Sequence, residues 1–455
     1  MTHSIEIKDN TIYIPDHLIY KGEVKQNFGF VIKGELFKDI DTVENLLSKY
    51  PEYQKVKIKN KLVSPGFIDT HNHLAQSFGK SLVFGEPSEI FKRIWIPMES
   101  NLTERSIKLS AKLGCLESLR GGFTTVVDPG ARTEKSLSLL AESIEEVGIR
   151  AVLAKTSNDK IGANEFRPMT DIVKESERFI SQYQSHDLIT PSLAIAIPEI
   201  ASDKALEFTA NLCKESKCLF QTHANEHLVA VERSLIDRSL RPIEHLSKAN
   251  ALNEYTLLAH STLLTPPELK LIKNADANVS YCPVASAWKG NAVLPAELLY
   301  HLDVNVGLGT DSTRSDGFRL MDTAEMAHRF TYGIKNGDFN CGSGDIWLSM
   351  ATDLAAKSIK SNDIGSIEIG KKADFLIIDI YIPELSPSWD LIWEMVRLMN
   401  KSQIDQVIVN GKTRLYKGMP VDWDLNALLD EVNLISKDIV LKSPIHKINE
   451  HFTLN

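Results

Sequence analysis

The chain has 455 residues, of which 43% are hydrophobic and 24% are charged. These fractions are ordinary for a folded globular protein and exclude the disordered and fibrous classes. The length exceeds that of a typical single domain, so we expect one large domain with a smaller one attached. The formal net charge of −9 argues against a nucleic-acid partner, because affinity for a phosphate backbone depends on Lys and Arg.

The five cysteines are scattered and form no Cys-x-x-Cys pair, which predicts reduced thiols in a cytoplasmic protein. The segment from Met1 to Asn10 lacks a basic stretch followed by an apolar core. No uninterrupted apolar run approaches the length of about 18 residues that a membrane-spanning helix requires. We therefore expect neither export nor a membrane span.

In chain order, residues 1–64 contain short β-like pieces, among them Ile5–Ile7 and Phe30–Ile32. This segment holds too little strand material for a stable sheet of its own. We therefore expect its strands to pair with strands from the other end of the chain.

Residues 65–360 alternate short apolar runs with longer amphipathic segments, the pattern of repeated strand and helix units with a parallel sheet. The first helix is predicted between Thr103, a good N-cap residue, and Gly121. Eight strands, the number that closes a TIM-like (β/α)8 barrel, are predicted. They are Val63–His71, Thr124–Asp128, Arg150–Lys155, Ser192–Pro198, Cys218–His223, Leu257–His260, Ala277–Cys282 and Asn305–Asp311. The same pattern also fits a doubly wound open sheet.

Residues 361–420 return to β-like pieces at 373–380 and 406–412. We expect them to join residues 1–64 in a small composite β-sandwich domain, with the barrel inserted between the two halves. Residues 421–455 are predicted to form a helical tail, because the apolar residues from Leu425 to Ile435 follow helical spacing. The predicted fold class is therefore α/β.

Two histidines one residue apart, His71 and His73, stand at the end of the first predicted barrel strand. Residues i and i+2 of a strand point to the same side, so two imidazoles at this spacing can bind one cation. The spacing alone is weak, since most such pairs are solvated surface histidines.

Three further predicted strands also end near a potential ligand or proton carrier. The residues at these four strand ends are His71, His73, His223, Glu226, His260 and Asp311. The carboxyl ends of barrel strands all open on one face, so we expect these side chains to meet there. Three imidazoles and a carboxylate with one open position suit Zn²⁺ or Fe²⁺.

Several segments resemble motifs of the amidohydrolase superfamily, in particular its branch of cytosine, guanine and adenosylhomocysteine deaminases and triazine hydrolases. They are Pro65–His73, Gly122–Asp128, His223–Glu226, Gly307–Asp311, Ile367–Phe375 and Val407–Lys412. The resemblance covers nearly the whole chain. It implies a barrel with a composite β domain and a small heterocyclic substrate. We further expect a homo-oligomer.

The resemblance implies a role for each residue at the strand ends. The implied metal ligands are His71, His73, His223 and Asp311. Glu226 would shuttle a proton, and His260 would donate a hydrogen bond from beside the ligands. A related branch binds two metals through a carboxylated lysine at the end of the fourth strand. The segment Ala194–Glu199 contains no lysine, which implies one metal ion.

The implied reaction is the hydrolytic deamination of an amino-substituted purine, pteridine, pyrimidine or triazine. A divalent cation lowers the pKa of bound water to about 7. Asp311 would then accept the proton of the water, and Glu226 would protonate the ring nitrogen. His260 would stabilise the charge that develops on the oxygen.

Some assignments keep a structural alternative. Glu226 could support a helix start, and His260 could be a buried structural histidine. Gln76 and Arg314 are candidates for binding the substrate, although surface roles fit both equally well. The segment Cys282–Ser286 departs from the Pro-x-Ser-Asn of the deaminases, which leaves the exact substrate open.

Two other functions compete with deamination. The first is removal of chloride or an alkylamine from a similar ring, or opening of a cyclic amide. The second is a binding protein built on an inactive hydrolase fold, because a fold does not determine function.

Overall fold

The structure is a computed structural model that describes residues 4–86, 90–130, 134–162 and 165–448. The outer ends of the first and last predicted segments, residues 1–3 and 449–455, lie outside the described residues. The strands are β1 (Thr11–Tyr20), β2 (Glu23–Lys25), β3 (Phe28–Lys33), β4 (Leu36–Thr42), β5 (Gln54–Pro65), β6 (Phe67–Asp69), β7 (Phe123–Asp128), β8 (Arg150–Thr156), β9 (Ile189–Ala194), β10 (Phe220–Ala224), β11 (Thr256–His260), β12 (Asn278–Tyr281), β13 (Val306–Leu308), β14 (Phe375–Asp379), β15 (Ile404–Val409), β16 (Lys412–Tyr416) and β17 (Met419–Pro420).

The α-helices surround these strands. They are α1 (Val43–Lys49), α2 (Ile96–Ser100), α3 (Glu104–Arg120), α4 (Glu134–Val147), α5 (Met169–Tyr183), α6 (Asp203–Glu215), α7 (Leu228–Arg238), α8 (Pro242–Lys248), α9 (Pro266–Asn274), α10 (Pro283–Lys289), α11 (Ala296–His301), α12 (Gly317–His328), α13 (Ile334–Asn336), α14 (Ser343–Ala351), α15 (Asp353–Ser358), α16 (Leu391–Arg397) and α17 (Leu425–Lys442). Short 3-10 segments lie at Leu74–Val83, Pro198–Ile200, Pro383–Leu385 and Lys401–Gln403, and π-helical turns at Phe91–Trp95 and Arg329–Gly333.

Strands β6 to β13 form a parallel sheet of eight strands in sequence order. The sheet closes just beyond the ends of β6 and β13, where the Thr70 N–H donates to the Leu308 carbonyl at 3.0 Å and the Asp311 N–H donates to the His71 carbonyl at 2.8 Å. The predicted TIM-like barrel is therefore confirmed. The open doubly wound sheet is excluded, because it would leave β6 and β13 apart.

Helix α3 follows the sequence prediction closely. The Thr103 side chain accepts a hydrogen bond from the Ser106 N–H, and Gly121 ends the helix. The cap satisfies one of the backbone donors that the first turn leaves without a partner.

Several predicted strands differ from the structure in their bounds; Asn305–Asp311, for example, is a strand only over Val306–Leu308. The run Val63–His71 is not one strand, because β5 ends at Pro65 in the small sheet and β6 begins at Phe67 in the barrel. Gly66 joins them, and a Cβ there would collide with the Thr124 side chain. Both strands are buried, so the apolar run gives no sign of the break. The predicted strand Ser192–Pro198 ends early, at Ala194, since Pro198 begins a 3-10 turn.

The remaining strands form one mixed sheet of nine strands, with the order β17-β16-β15-β14-β5-β1-β3-β4 and β2 paired to β1. The sheet curls so that β3 and β4 approach β14 and the segment just before it. Phe30 of β3 and Phe375 of β14 meet with ring centroids 5.4 Å apart, and the Phe37 N–H donates to the Lys371 carbonyl at 2.9 Å. The predicted composite β domain from both flanks is confirmed.

Alternate residues of this sheet face two different cores. Leu62 and Leu376 belong to the large apolar cluster of the barrel and its helices. Val63 and Ile377 belong to a separate cluster inside the curled sheet. This alternation is the period of two expected for strands that are buried on both faces. Among the described residues, no helix combines the length and the apolar character that a membrane crossing requires.

A buried ion pair joins the barrel to the small sheet. Arg150 of β8 donates from Nε to Asp374 Oδ2 at 3.0 Å, and its Nη2 bonds to the Asn410 side chain. The Asn410 N–H donates to Asp374 Oδ1 at 2.7 Å. The Arg150 charge thus depends on partners in the C-terminal flank.

We expect Asp374→Ala to lower the free energy of unfolding by about 3–5 kcal/mol, because it leaves the Arg150 charge buried without its partner. Urea denaturation measures this loss. The matched control is Asp379→Ala, which removes the partly exposed ion pair with Lys61 and should cost about 1 kcal/mol or less. Equal losses in the two variants would contradict this account.

Candidate active site

Three imidazoles and one carboxylate meet at the carboxyl end of the barrel. His71 and His73 follow β6, His223 lies in β10, and Asp311 follows β13. Asp311 Oδ1 lies 3.3 Å from His73 Nε2 and 3.6 Å from His71 Nε2, and the Nε2 atoms of His73 and His223 are 3.4 Å apart. Tetrahedral ligands at zinc distances lie about 3.3 Å from one another. These three distances are close to that value. The ligand atoms form two overlapping groups, one of His71, His73 and His223 and one of His71, His260 and Asp311, and both groups share His71.

The protonation state of two of the three imidazoles, His71 and His223, also suits a metal. His223 Nδ1 lies 2.7 Å from the Ala196 carbonyl, to which it donates, so the lone pair is on Nε2. Burial lowers the pKa of His71 to about 4, and its buried Nε2 has no hydrogen-bond partner among the described residues. Burial also lowers the pKa of His223 well below its ordinary value. Neutral rings with available nitrogen atoms are the form that binds a cation.

A buried aspartate, Asp69, holds the ligand segments in place. Its carboxylate accepts hydrogen bonds from the Thr310 hydroxyl at 2.6 Å, the Thr310 N–H at 2.8 Å and the Asn72 side chain at 2.7 Å. Asp69 and Thr310 lie within the motifs found in the sequence. Their role as a clamp between β6 and β13 did not emerge from the pattern.

Glu226 and His260 lie beside the four ligands. His260 Nε2 is 3.9 Å from Glu226 Oε1, and both ring nitrogens of this buried histidine lack a hydrogen-bond partner among the described residues. A structural histidine would be expected to make such bonds. Glu226 also does not support a helix start directly, because α7 begins at Leu228 with His227 as its N-cap.

Lys289 is a residue of the site that the sequence analysis missed. Its Nζ donates to Glu226 Oε1 at 2.7 Å and to Asp311 Oδ2 at 2.8 Å. Burial raises the pKa of Glu226, but the Lys289 ammonium, together with His260 and His227, holds the pKa of this carboxyl below its ordinary value. Lys289 ends α10, the helix that begins in the segment Cys282–Ser286. The only sequence signal that pointed to the region of Lys289 was the departure of that segment from the family motif.

The two predicted substrate-binding residues take different positions. Gln76 is buried in the 3-10 segment that follows His73, and its amide donates to Glu99 Oε1 at 2.7 Å. Arg314 has an exposed side chain three residues after Asp311. A role in substrate binding stays a prediction for both.

A second group of potential ligands consists of Glu297, His328 and Cys341. His328 Nε2 lies 2.9 Å from Glu297 Oε2, as in an ordinary hydrogen bond. This contact between Nε2 and the carboxylate needs no cation. The group at the barrel mouth, by contrast, has two possible acid-base residues beside it, Glu226 and His260.

A (β/α)8 barrel that gathers imidazoles and carboxylates at its strand ends is typical of metal-dependent hydrolases. Residues 62–414 match the family model described as the amidohydrolase family. The chain belongs to this family, and the predicted membership and hydrolase class are confirmed.

Relatives match over nearly the full chain. A 5-methylthioadenosine/S-adenosylhomocysteine deaminase of Thermodesulfovibrio yellowstonii is 27% identical over 425 residues, which cover 92% of this chain and 94% of the relative. A zinc-bound adenosine deaminase structure from Xanthomonas campestris has a TM-score of 0.86 at 19% identity and covers 96% of this chain and 100% of its own. A zinc complex of atrazine chlorohydrolase from Arthrobacter aurescens has a TM-score of 0.83 at 19% identity. The match covers 94% of this chain and 100% of that structure's chain. The two structures share the fold of this chain.

We expect about one divalent cation per purified chain, because the two ligand groups at the barrel mouth share His71 and describe one site. Elemental analysis after zinc loading measures the ratio. His71→Ala and His223→Ala should each lower occupancy sharply while the far-UV circular dichroism stays unchanged. His301→Ala, at an exposed histidine of α11, is the control and should retain the metal. Two tightly bound cations per active chain would contradict a mononuclear site.

Proposed function

We propose that the protein is a mononuclear metal-dependent aminohydrolase that removes an amino group from an N-heterocycle. The observation that carries this proposal is the convergence of four ligand-type side chains with Glu226 and His260 at one end of the barrel. A metal-binding site alone would not need an acid-base pair. Hydrolysis of an amidine-like carbon needs both an activated water and a proton carrier.

The metal would be held by His71, His73, His223 and Asp311. Imidazole and carboxylate ligands suit Zn²⁺ and also Fe²⁺, and zinc is the first choice because zinc is bound in structures with this fold. When bound, the cation would supply Lewis acidity and lower the pKa of a water molecule to about 7.

Asp311 would accept the proton of the attacking water. Its two carboxylate oxygens have different neighbours. Oδ1 faces the imidazoles of His71 and His73, and Oδ2 accepts a hydrogen bond from Lys289. Glu226 would carry a proton to the ring nitrogen next to the attacked carbon. His260, neutral because burial lowers its pKa, would donate from Nε2 to the oxygen as its charge develops. Ammonia would then leave.

The proposed substrate is a small amino-substituted purine, pteridine, pyrimidine or triazine. The deaminase relative, whose name specifies adenosine-type nucleosides, supports a purine as the first candidate. A panel of these rings, incubated with the zinc-loaded protein, tests the proposal through ammonia release. Chloride, amine or ring-opened products would favour the rival hydrolysis, and binding without any product would favour a binding protein.

We expect Glu226→Gln to keep the metal and to lose most turnover, because the amide preserves the shape but cannot carry the proton. General acid-base groups contribute roughly 10² to 10⁴ in rate. Steady-state kinetics with matched metal content measure the loss. The control is Glu232→Gln, an exposed glutamate of α7, which should behave as wild type. Near-normal kcat/KM in metal-replete Glu226→Gln would remove Glu226 from the mechanism.

We expect Asp311→Asn to retain part of the metal and to stop the chemical step almost completely. The amide oxygen can still face the cation, but it is a poor proton acceptor. Metal content and single-turnover rate are measured on the same sample, so that loss of metal and loss of chemistry are separated. An unchanged rate at wild-type occupancy would show that another group accepts the proton.

A further inference from the structure

The active site contains one cationic side chain, Lys289, within the part of the chain that the structure describes around Glu226 and Asp311. Only 19% of its side chain is exposed, so the ammonium lies inside the site and not in solvent. An ammonium has three N–H donors. The two carboxylates accept two of them, at 2.7 and 2.8 Å. One donor remains for a ligand.

Lys289 and a cation would use different atoms of Asp311. Oδ1 lies 3.3 Å from His73 Nε2 and 3.6 Å from His71 Nε2, whereas Oδ2 accepts from Lys289. The lysine therefore does not have to leave for the four ligands to act together. Its charge belongs to the site in which the substrate would bind.

Lys289 places one positive charge in a buried part of the site, where charges interact more strongly than in water. A negatively charged substrate group close to the reacting carbon would pair with this ammonium and accept its third N–H.

Two partly exposed aromatic rings lie on the segments that carry these groups. Trp288 precedes Lys289 in α10, and Phe84 follows the 3-10 segment that starts next to His73. The rings meet edge to face with centroids 4.7 Å apart, and 43% of Trp288 and 48% of Phe84 is exposed. Aromatic side chains of this kind bind flat rings by stacking. An apolar ring surface and a buried cation thus come from neighbouring residues.

We propose that Lys289 is a specificity-determining residue that selects heterocycles carrying an ionised acidic substituent, a carboxylate or an oxyanion, next to the carbon that is attacked. This inference rests on the proposed function. It goes beyond that function because the four ligands, Glu226 and His260 do not distinguish a charged ring from a neutral one.

Matched sets of amino-heterocycles test the inference. Each set keeps one ring and varies the neighbouring substituent between an ionised carboxylate, an ionised hydroxyl and a methyl group. We expect the wild-type protein to prefer a charged member. Lys289→Met should lower the charged-to-neutral ratio of kcat/KM by about tenfold to a hundredfold, the loss expected for a hydrogen bond to a charged group. Comparison of kcat/KM for the carboxylate and hydroxyl members of each set shows which anion the site prefers.

Two further variants separate charge from structure. Lys289→Arg keeps the charge and should retain much of the preference, while Lys289→Gln keeps a polar side chain and should lose it. Lys270→Met, at an exposed lysine of α9, is the matched control and should leave the ratio unchanged. Calorimetry of the same rings, with a methyl group in place of the amine, measures affinity without turnover. The charged analogue should lose affinity in Lys289→Met and in Lys289→Gln.

The outcomes for the two proposals differ. Ammonia release from neutral rings as fast as from charged rings, with a ratio that Lys289→Met leaves unchanged, would overturn the inference and leave the proposed function standing. If no ring releases ammonia, the proposed function fails, and calorimetry alone decides the preference. Equal affinity for charged and neutral analogues in wild type would then overturn the inference as well.

Discussion

The active site depends on the closure of the barrel between β6 and β13. Backbone hydrogen bonds from Thr70 to Leu308 and from Asp311 to His71 fix the register of these two segments. A shift of one residue would turn the side chains to the opposite face of the sheet. His71 and Asp311 would then no longer face the same point. The metal-ligand geometry is therefore a property of strand register, and the buried Asp69 carboxylate reinforces it by bonding to Thr310.

Two of the active-site residues have strained backbones. Asp311 and His260 have φ values of +51° and +70°, in the left-handed region that side chains other than glycine seldom adopt. Such conformations cost about 1–3 kcal/mol each and persist where the surroundings enforce them. The strain turns the chain sharply at the strand ends and directs these side chains towards the barrel axis. The barrel framework thus supports a geometry that an isolated loop would not keep.

The composite domain is tied to the strand that leads to His71 and His73. β5 pairs in parallel with β1 and antiparallel with β14, so both ends of the chain meet on one strand. That strand continues through Gly66 into β6, and the Gly66 N–H donates to the Asp374 carbonyl at 3.0 Å. Asp374 also accepts from Arg150 of the barrel. The small sheet therefore fixes the point at which β6 begins, and through it the segment that carries His71 and His73.

The sequence by itself determined the elements whose signals are local and the strand ends that carry the candidate ligands. Thr103 and Gly121 delimit α3, and the apolar runs that precede His71, His223, His260 and Asp311 place these residues at strand ends. Only the tertiary structure decided that Gly66 divides one apolar run between two sheets, because both strands are buried and their patterns are continuous. It also decided the place of Lys289, which lies 63 residues from Glu226 and 22 from Asp311 along the chain. Local periodicity in the sequence does not predict such a contact, because the contact depends on how α10 packs over the strand ends.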